Sequence, residues 1–248
     1  MPMETVLQVN QLTGGYSTGK PVLHDVNFEV KPGEMVGLIG LNGAGKSTTM
    51  KHILGLMQPH RGEVTLQGKT LAEAPEIYRS SLAFVPETPM LYEELTVKEH
   101  LELAAMAYAV EKKDYDERVQ QLLELFQMND KYNTFSMHLS KGMRQKVMIM
   151  SAFLVHPPLY MIDEPFLGLD PLGIRNLLDF MVELKSRGAS ILLSSHILST
   201  IENYCDRFIV LHQGHVIAQG TLQELRQQSP RGEESLEEIF YQLVKGGK

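Results

Sequence analysis

Gly40, Gly45, Lys46 and Ser47 are spaced as G-x-x-x-x-G-K-S, with Asn42, Gly43 and Ala44 between them, and they follow the apolar run Met35-Val36-Gly37-Leu38-Ile39. Glycines in this pattern let the backbone curl so that several N–H groups converge on phosphate oxygens. Lys46 then reaches the β- and γ-phosphates, and the Ser47 hydroxyl is a ligand for Mg²⁺. The helix that opens through Ser47 and Thr48 adds its positive dipole end to the same place. The chemistry these residues predict is the binding of a nucleoside triphosphate with Mg²⁺. A glycine-rich turn without a ligand is the plainer reading, and the flanking strand and helix patterns weigh against it.

A second group supplies reactive carboxylates. Leu159-Tyr160-Met161-Ile162 is an apolar strand that ends in Asp163-Glu164-Pro165. In P-loop enzymes an aspartate at this point binds Mg²⁺ through water, and an adjacent glutamate can orient and deprotonate the attacking water. A third group, Leu139-Ser140-Lys141-Gly142-Met143-Arg144-Gln145-Lys146, starts a helix. The Ser140 hydroxyl and the small Gly142 at a helix N-terminus make a second phosphate site. Lys141 and Arg144 oppose the helix dipole unless an anion sits there; a capped helix with a solvated basic face is the alternative.

These residues need a scaffold. Val6 to Leu12, Val26 to Val30 and Gly62 to Gly68 read as short strands joined by Gly/Pro turns, an antiparallel β lobe. Strands at Met35 to Ile39, Leu82 to Val85, Leu159 to Ile162, Ile191 to Ser194 and Phe208 to Leu211 alternate with helices at Lys46 to Met57 and Pro171 to Arg187, which predicts a mostly parallel sheet covered by helices. Between Pro89 and His156 the strand signal gives way to the capping box Thr96-Val97-Lys98-Glu99 and to Val119, Leu122, Leu123 and Phe126 at helical spacing, an inserted helical lobe. Thr221 to Gln228 and Glu234 to Val244 read as two terminal helices around Ser229-Pro230-Arg231-Gly232.

Composition narrows the partners. The 248 residues suit one core with a smaller lobe, and a net charge of −7 argues against a nucleic-acid partner. The single cysteine, Cys205, reads as a packed thiol in a reducing, cytosolic compartment, and Met1-Pro2-Met3-Glu4 carries no secretory pattern. The most apolar stretch, Val147 to Val155, is about half the length that crosses a bilayer, so membrane contact requires a partner protein. His212 and His215 flank Gln213-Gly214, a hairpin turn rather than a metal site, and Met143, Met148 and Met150 are expected to fill core.

The order of these motifs resembles the ATP-binding-cassette (ABC) family. Its signature is usually Leu-Ser-Gly-Gly-Gln, so Ser140 and Gly142 match while Lys141 and Met143 depart. The resemblance implies an α/β P-loop NTPase fold with a RecA-like parallel-sheet core, an antiparallel β lobe and an inserted α-helical lobe. It implies one nucleotide-binding domain over 1–248, with 1–88 and 157–220 as β lobe plus core, 89–156 as helical lobe and 221–248 as a C-terminal helical extension. It assigns Tyr16 to adenine stacking, His196 after Ser194-Ser195 to the γ-phosphate, and Asp170 of Leu167-Gly168-Leu169-Asp170 to contact with an opposite subunit. Where the family usually has a glutamine that touches Mg²⁺ and the lytic water, this chain has Glu87 after Pro86; a carboxylate can serve a metal or a water proton, and a solvated loop residue is the alternative.

Thr88 to Leu95 falls near the family's groove for a membrane subunit, where Met90, Leu91 and Tyr92 are either docking anchors or local core. The runs Val85-Pro86-Glu87-Thr88-Pro89, Glu102 to Tyr108 and Asp163 to Pro171 are similar to ATPase subunits of Gram-positive bacterial exporters. That similarity implies ATP hydrolysis by a head-to-tail homodimer on the inner face of the membrane, powering export, of peptides, through a separately encoded transmembrane permease. A soluble ATPase of the same family acting on ribosomes or DNA is the rival. Such translation factors carry two cassettes in one chain and such DNA-repair members a coiled coil, whereas this chain has one P-loop and no sustained heptads between Lys46 and Ser140. A kinase or GTPase would lack Ser140-Lys141-Gly142.

Overall fold

The computed structural model describes residues 5–17, 19–227 and 235–246. The N-terminal Met1–Glu4, the helix ends expected at Gln228 and Glu234, and the Ser229–Gly232 connection lie outside the described residues. Two sheets organise the rest. Strands β1 (Leu7–Gly14), β2 (Leu23–Val30) and β4 (Arg61–Leu66) form a three-stranded antiparallel sheet in the order β2-β1-β4. Strands β3 (Met35–Ile39), β5 (Leu82–Val85), β6 (Leu159–Asp163), β7 (Ser190–Ser195), β8 (Arg207–His212) and β9 (His215–Gly220) form a six-stranded sheet in the order β5-β6-β7-β3-β8-β9. All neighbours in it are parallel except β8 and β9.

Alternation along the central strands distributes their side chains between two cores. Met35 and Ile39 of β3, Tyr160 and Ile162 of β6, and Phe208 and Val210 of β8 enter one; Val36 and Leu38, Leu159 and Met161, and Ile209 and Leu211 enter the other. A strand buried on both faces has to be apolar throughout, which is why these runs show no polar alternation. The second core is closed by the antiparallel sheet and by Met50 and Ile53 of helix α1 (Lys46–Ile53). The first is closed by α6 (Pro171–Ser186) and by the helical segment between β5 and β6. There α3 (Val97–Ala107) and α4 (Lys112–Leu125) pack on α5 (Lys141–Leu154), and no strand occurs. Thr96 caps α3 as expected: its hydroxyl accepts from Glu99 N–H at 3.2 Å while the Glu99 carboxylate accepts from Thr96 N–H at 2.8 Å.

Several boundaries differ from the sequence pattern for local reasons. Helix α1 ends at Ile53 rather than Met57, because Gly55 adopts a left-handed φ of 71° and the N–H groups of Gly55 and Leu56 return to the carbonyls of His52 and Lys51. That pair of bonds is a Schellman stop. Strand β2 starts at Leu23, earlier than Val26, since Gln11 and Asp25 have positive φ and shift the β1–β2 register, which breaks the alternation a pattern search depends on. Short helices α2 (Pro75–Ser80) and α7 (Leu198–Ile201) add turns between strands. Gln213 and Gly214 both take positive φ, the hairpin turn expected between β8 and β9. Cys205 lies just past the turn that follows α7, and burial pushes its thiol pKa up. Met150 is fully buried, whereas Met143 and Met148 are half-buried. Two terminal helices, α8 (Leu222–Gln227) and α9 (Leu236–Gly246), complete the chain; Leu236, Ile239 and Phe240 join the first core. Among the described residues no helix is long and apolar enough to cross a membrane.

Candidate functional site

The carboxyl ends of three adjacent parallel strands place the chemistry side by side. In register, Asp163 pairs with Ser194 across β6 and β7, and Ile39 pairs with Ser195 across β3 and β7. The loop after β3, the carboxylates after β6 and the histidine after β7 therefore leave the sheet at one edge, the crevice where open α/β sheets take ligands.

Gly45 has φ 112° and stands as N-cap of α1 without a side-chain cap, so the first N–H groups of the helix remain available to a ligand. Only a residue without Cβ holds that conformation readily. Lys46 is buried; its ammonium donates to the Gly40 carbonyl at 2.8 Å and lies 3.8 Å from a Glu164 carboxylate oxygen. A buried lysine between a carbonyl and one carboxylate is held in place, ready for a second anion.

Glu164 is also buried, and its backbone is left-handed with φ 47°. Its N–H is fixed by the Ser194 carbonyl at 3.2 Å and the Ser194 hydroxyl at 3.3 Å. The Glu164 carboxylate accepts from the His196 backbone N–H at 3.1 Å and lies 2.7 Å from His196 Nδ1. An ionised carboxylate only accepts, so Nδ1 carries the proton and Nε2 is the ring's remaining polar atom. Non-glycine residues held at positive φ cluster where function requires an aimed side chain. The same Ser194 hydroxyl donates to Asp163, whose carboxylate is thereby fixed at the strand end. Ser194 is the residue sequence reasoning missed. A hydroxyl in an apolar strand beside the Asp-Glu strand is the signal that could have found it.

A cavity of about 510 Å³ opens above these groups. Tyr16, Asn42, Gly43, Gly45, Lys46, Ser47, Thr48, Glu87, Glu164 and His196 line it, joined by Val22 and Leu41, which the sequence did not single out. The volume suits a ligand of nucleotide size. Gly40, Ala44 and Asp163 are packed just behind the lining, and Gly40 contributes the carbonyl that holds Lys46. Tyr16 reaches the cavity from the antiparallel sheet, and Glu87 from the end of β5, where it is exposed.

Ser140, Gly142 and Asp170 stand apart from this cavity but close to one another. Ser140 caps α5, accepting from Met143 N–H at 3.3 Å, and Asp170 caps α6, accepting from Gly173 N–H at 2.8 Å. The latter bond holds the Asp170 carboxyl below the usual carboxylate range. A Cβ on Gly142 would lie 2.2 Å from the Gly168 carbonyl oxygen, so the start of α5 and the Leu167–Asp170 loop are in backbone contact. One chain thus presents two separate faces, a cavity face and a face made of the α5 and α6 N-termini.

Donor chemistry tests what the cavity can hold. Converging N–H groups and Lys46 suit phosphate oxygens. Among the described residues no three His, Cys, Asp or Glu side chains form a metal cage. Mg²⁺ needs none: it keeps several waters and takes one or two protein oxygens with substrate phosphates. The hydroxyl of Ser47 and the carboxylates of Asp163 and Glu87 are the hard oxygens available for it.

Residues 23–167 match the family model described as ABC transporter. The chain is 57% identical over 241 residues to the ABC-type transporter ATP-binding protein EcsA of Bacillus subtilis (strain 168), with 97% of each chain covered. Its fold is similar to a solved ATP-binding subunit of an ABC transporter, with a TM-score of 0.94 at 56% identity and with 96% of this chain and 99% of that one covered. It is also similar to a dimeric ATP-binding cassette in a post-hydrolysis state bound to ADP and Pi, with a TM-score of 0.78 at 26% identity, covering 87% of this chain and 98% of that one.

Proposed function

The chain belongs to the ABC transporter family as its ATP-binding ATPase subunit, and from that premise we propose that two copies work head to tail around two ATP molecules. Each ATP would lie in the cavity of one copy, against Lys46, Ser47, Glu164 and His196, and under Ser140 and Gly142 of the other. The separation of the two faces within one chain supports this reading, because neither face alone surrounds a triphosphate. In it, Tyr16 receives the adenine, and Asp170 faces the opposite copy. Residues 1–248 act as one nucleotide-binding domain in which the helical lobe, 89–156, carries Ser140 toward its partner. Mg²⁺, held through Ser47, Asp163 and Glu87, would neutralise charge on the β- and γ-phosphates. Glu164 accepts the proton of the attacking water, and His196 holds the Glu164 carboxylate in place for that transfer.

The observation that carries the mechanism is the Glu164 carboxylate, buried between Lys46 Nζ at 3.8 Å and His196 Nδ1 at 2.7 Å. Glu164→Gln keeps the shape and removes the base, so turnover should fall by roughly 10² to 10⁴. ATP affinity should hold or rise, because the substitution also removes a negative charge that competes with phosphate for Lys46. Steady-state hydrolysis beside calorimetric ATP binding checks both; near-normal turnover would strip Glu164 of the role.

Closure and reopening of the pair would drive a separately encoded transmembrane permease, with this chain peripheral on the cytoplasmic face. Met90 and Tyr92 are exposed just beyond Glu87, while Leu91 packs against the core, so docking falls to the first two. Export of peptides is the transport reading that the exporter resemblance supports, and reconstitution of the native complex with labelled peptides tests it. A soluble ribosome- or DNA-directed ATPase would instead leave the chain unassociated with any membrane protein on co-purification.

A further inference from the structure

Tyr16 sits on the loop between β1 and β2 and is 68% exposed, so core packing does not hold its ring. Helix α1 does. Lys51 Nζ donates to the Tyr16 hydroxyl at 3.2 Å and lies over the ring, 5.1 Å from its centroid. Thr48 lies three residues earlier on the helix, on the side that faces the same hydroxyl. Next to Lys51, the imidazole of His52 is buried with Nδ1 3.0 Å from the Met57 carbonyl. It packs so closely on the end of β1, where the loop begins, that a Cβ at Gly14 would lie 2.4 Å from Nε2. Thr48, Lys51 and His52 share one face of α1 by their i, i+3, i+4 spacing. The helix whose N-terminus receives phosphate therefore also carries the loop and the ring.

We propose that Lys51 is a positioning residue for nucleotide: it fixes the Tyr16 ring on α1, so that the base platform and the phosphate grip form one rigid unit. The proposal rests on Tyr16 being the surface that receives the base. The contact also favours the ionised phenol, since Lys51 first and Thr48 second lower the Tyr16 pKa from its ordinary value. Burial lowers the pKa of His52, which keeps that ring neutral beside the ammonium. A lysine that touches tyrosine rather than phosphate should affect only ligands that contain a base.

Binding of ATP and of tripolyphosphate to the full chain, measured by titration calorimetry, separates these cases. Lys51→Met, which keeps the aliphatic stem, should weaken ATP binding by about 3- to 10-fold, the range a single hydrogen bond in an exposed setting commands. Tripolyphosphate binding should stay within about two-fold, Lys51→Arg should restore ATP affinity, and Tyr16→Phe combined with Lys51→Met should be no worse than either alone. Across an ATP titration of steady-state hydrolysis, KM should carry the effect and kcat should not. Equal loss for ATP and tripolyphosphate in Lys51→Met would put the lysine on the phosphates and overturn the proposal. So would unchanged ATP affinity in Lys51→Met when Tyr16→Ala weakens it. If Tyr16→Ala itself leaves ATP affinity intact, the base-stacking reading falls, and the positioning role falls with it.

Discussion

Glu87 stands where the family usually has a glutamine, and the departure is electrostatic. It lines the cavity from the end of β5 and is exposed, whereas Asp163 and Glu164 are buried and tied to Ser194 and His196. In the proposed complex a third carboxylate beside the triphosphate would call for a cation between them, which would tie Glu87 to Mg²⁺ more closely than a glutamine. Glu87→Gln should therefore keep at least about half of the ATPase activity, because the amide oxygen still serves a metal-bound water. Glu87→Ala should need about 10- to 100-fold more Mg²⁺ for half-maximal rate, the loss typical of removing a group that supports a bound metal. A Mg²⁺ titration of hydrolysis reads this directly; three superimposable curves would return Glu87 to a solvated loop. Pro86-Glu87 was visible in the sequence, but the cavity it faces is assembled from segments hundreds of ångströms of extended chain apart, on the order of 3.3 Å per residue.

At the scale of elements, α5 and the Leu167–Asp170 loop meet backbone to backbone. The atom opposite Gly142 is the Gly168 backbone carbonyl, which cannot rotate away as a side-chain tip would. Gly142→Ala should push the start of α5 off this loop at a cost of about 1–3 kcal/mol. For a chain of this size that corresponds to a fall in Tm of roughly 2–10 °C. ATP binding to the isolated chain should be spared, because the cavity lining lies elsewhere, while hydrolysis by the assembled transporter should drop. Differential scanning calorimetry and the two nucleotide assays check this; an unchanged Tm would mean that the loop yields freely. Element existence was legible at most positions here. Thr96 and Glu99 announced α3, and the apolar runs announced the buried strands. What blurred was any boundary set by a backbone special, as at Gly55, Gln11 and Asp25, where a positive φ interrupts a period that side-chain type alone cannot reveal.

For the molecule as a whole, coupling requires that events at the cavity reach a surface that another protein can hold. The segment after Glu87 is placed for this: Met90 and Tyr92 are 79% and 64% exposed, and Leu91 anchors the segment in the core. The Tyr92 backbone N–H donates to His100 Nε2 at 3.0 Å and its carbonyl accepts from the Ser136 hydroxyl at 2.6 Å, so the proposed docking segment is tied to the helical lobe. Met90→Ser with Tyr92→Ser should weaken association with the permease by about 10-fold or more, as loss of two exposed anchors does at an interface centre. ATP binding and thermal stability of the isolated chain should be unaffected. A pull-down from native membranes beside a nucleotide-binding assay decides. Retained assembly would move the docking site elsewhere, and loss of both functions would return these side chains to local packing.

The sequence by itself determined the chemistry. Gly40 to Ser47, Asp163-Glu164 and Ser140-Lys141-Gly142 are each contiguous, and each motif's demand on its backbone can be read from neighbouring residues. Tertiary structure alone decided which of them meet. Parallel pairing of β6, β7 and β3 brings Glu164, His196 and Lys46 within hydrogen-bonding or ion-pair reach, and the antiparallel sheet delivers Tyr16 to the same cavity. The same pairing leaves Ser140, Gly142 and Asp170 on a second face. Strand order is the physical reason. It follows from long-range burial of two cores on opposite sides of one sheet, and a linear pattern of apolar residues shows that a strand is buried without naming its neighbour. The contact from Lys51 to Tyr16 belongs to this second kind, since a lysine on a helix face gains meaning only when a distant loop is folded against it.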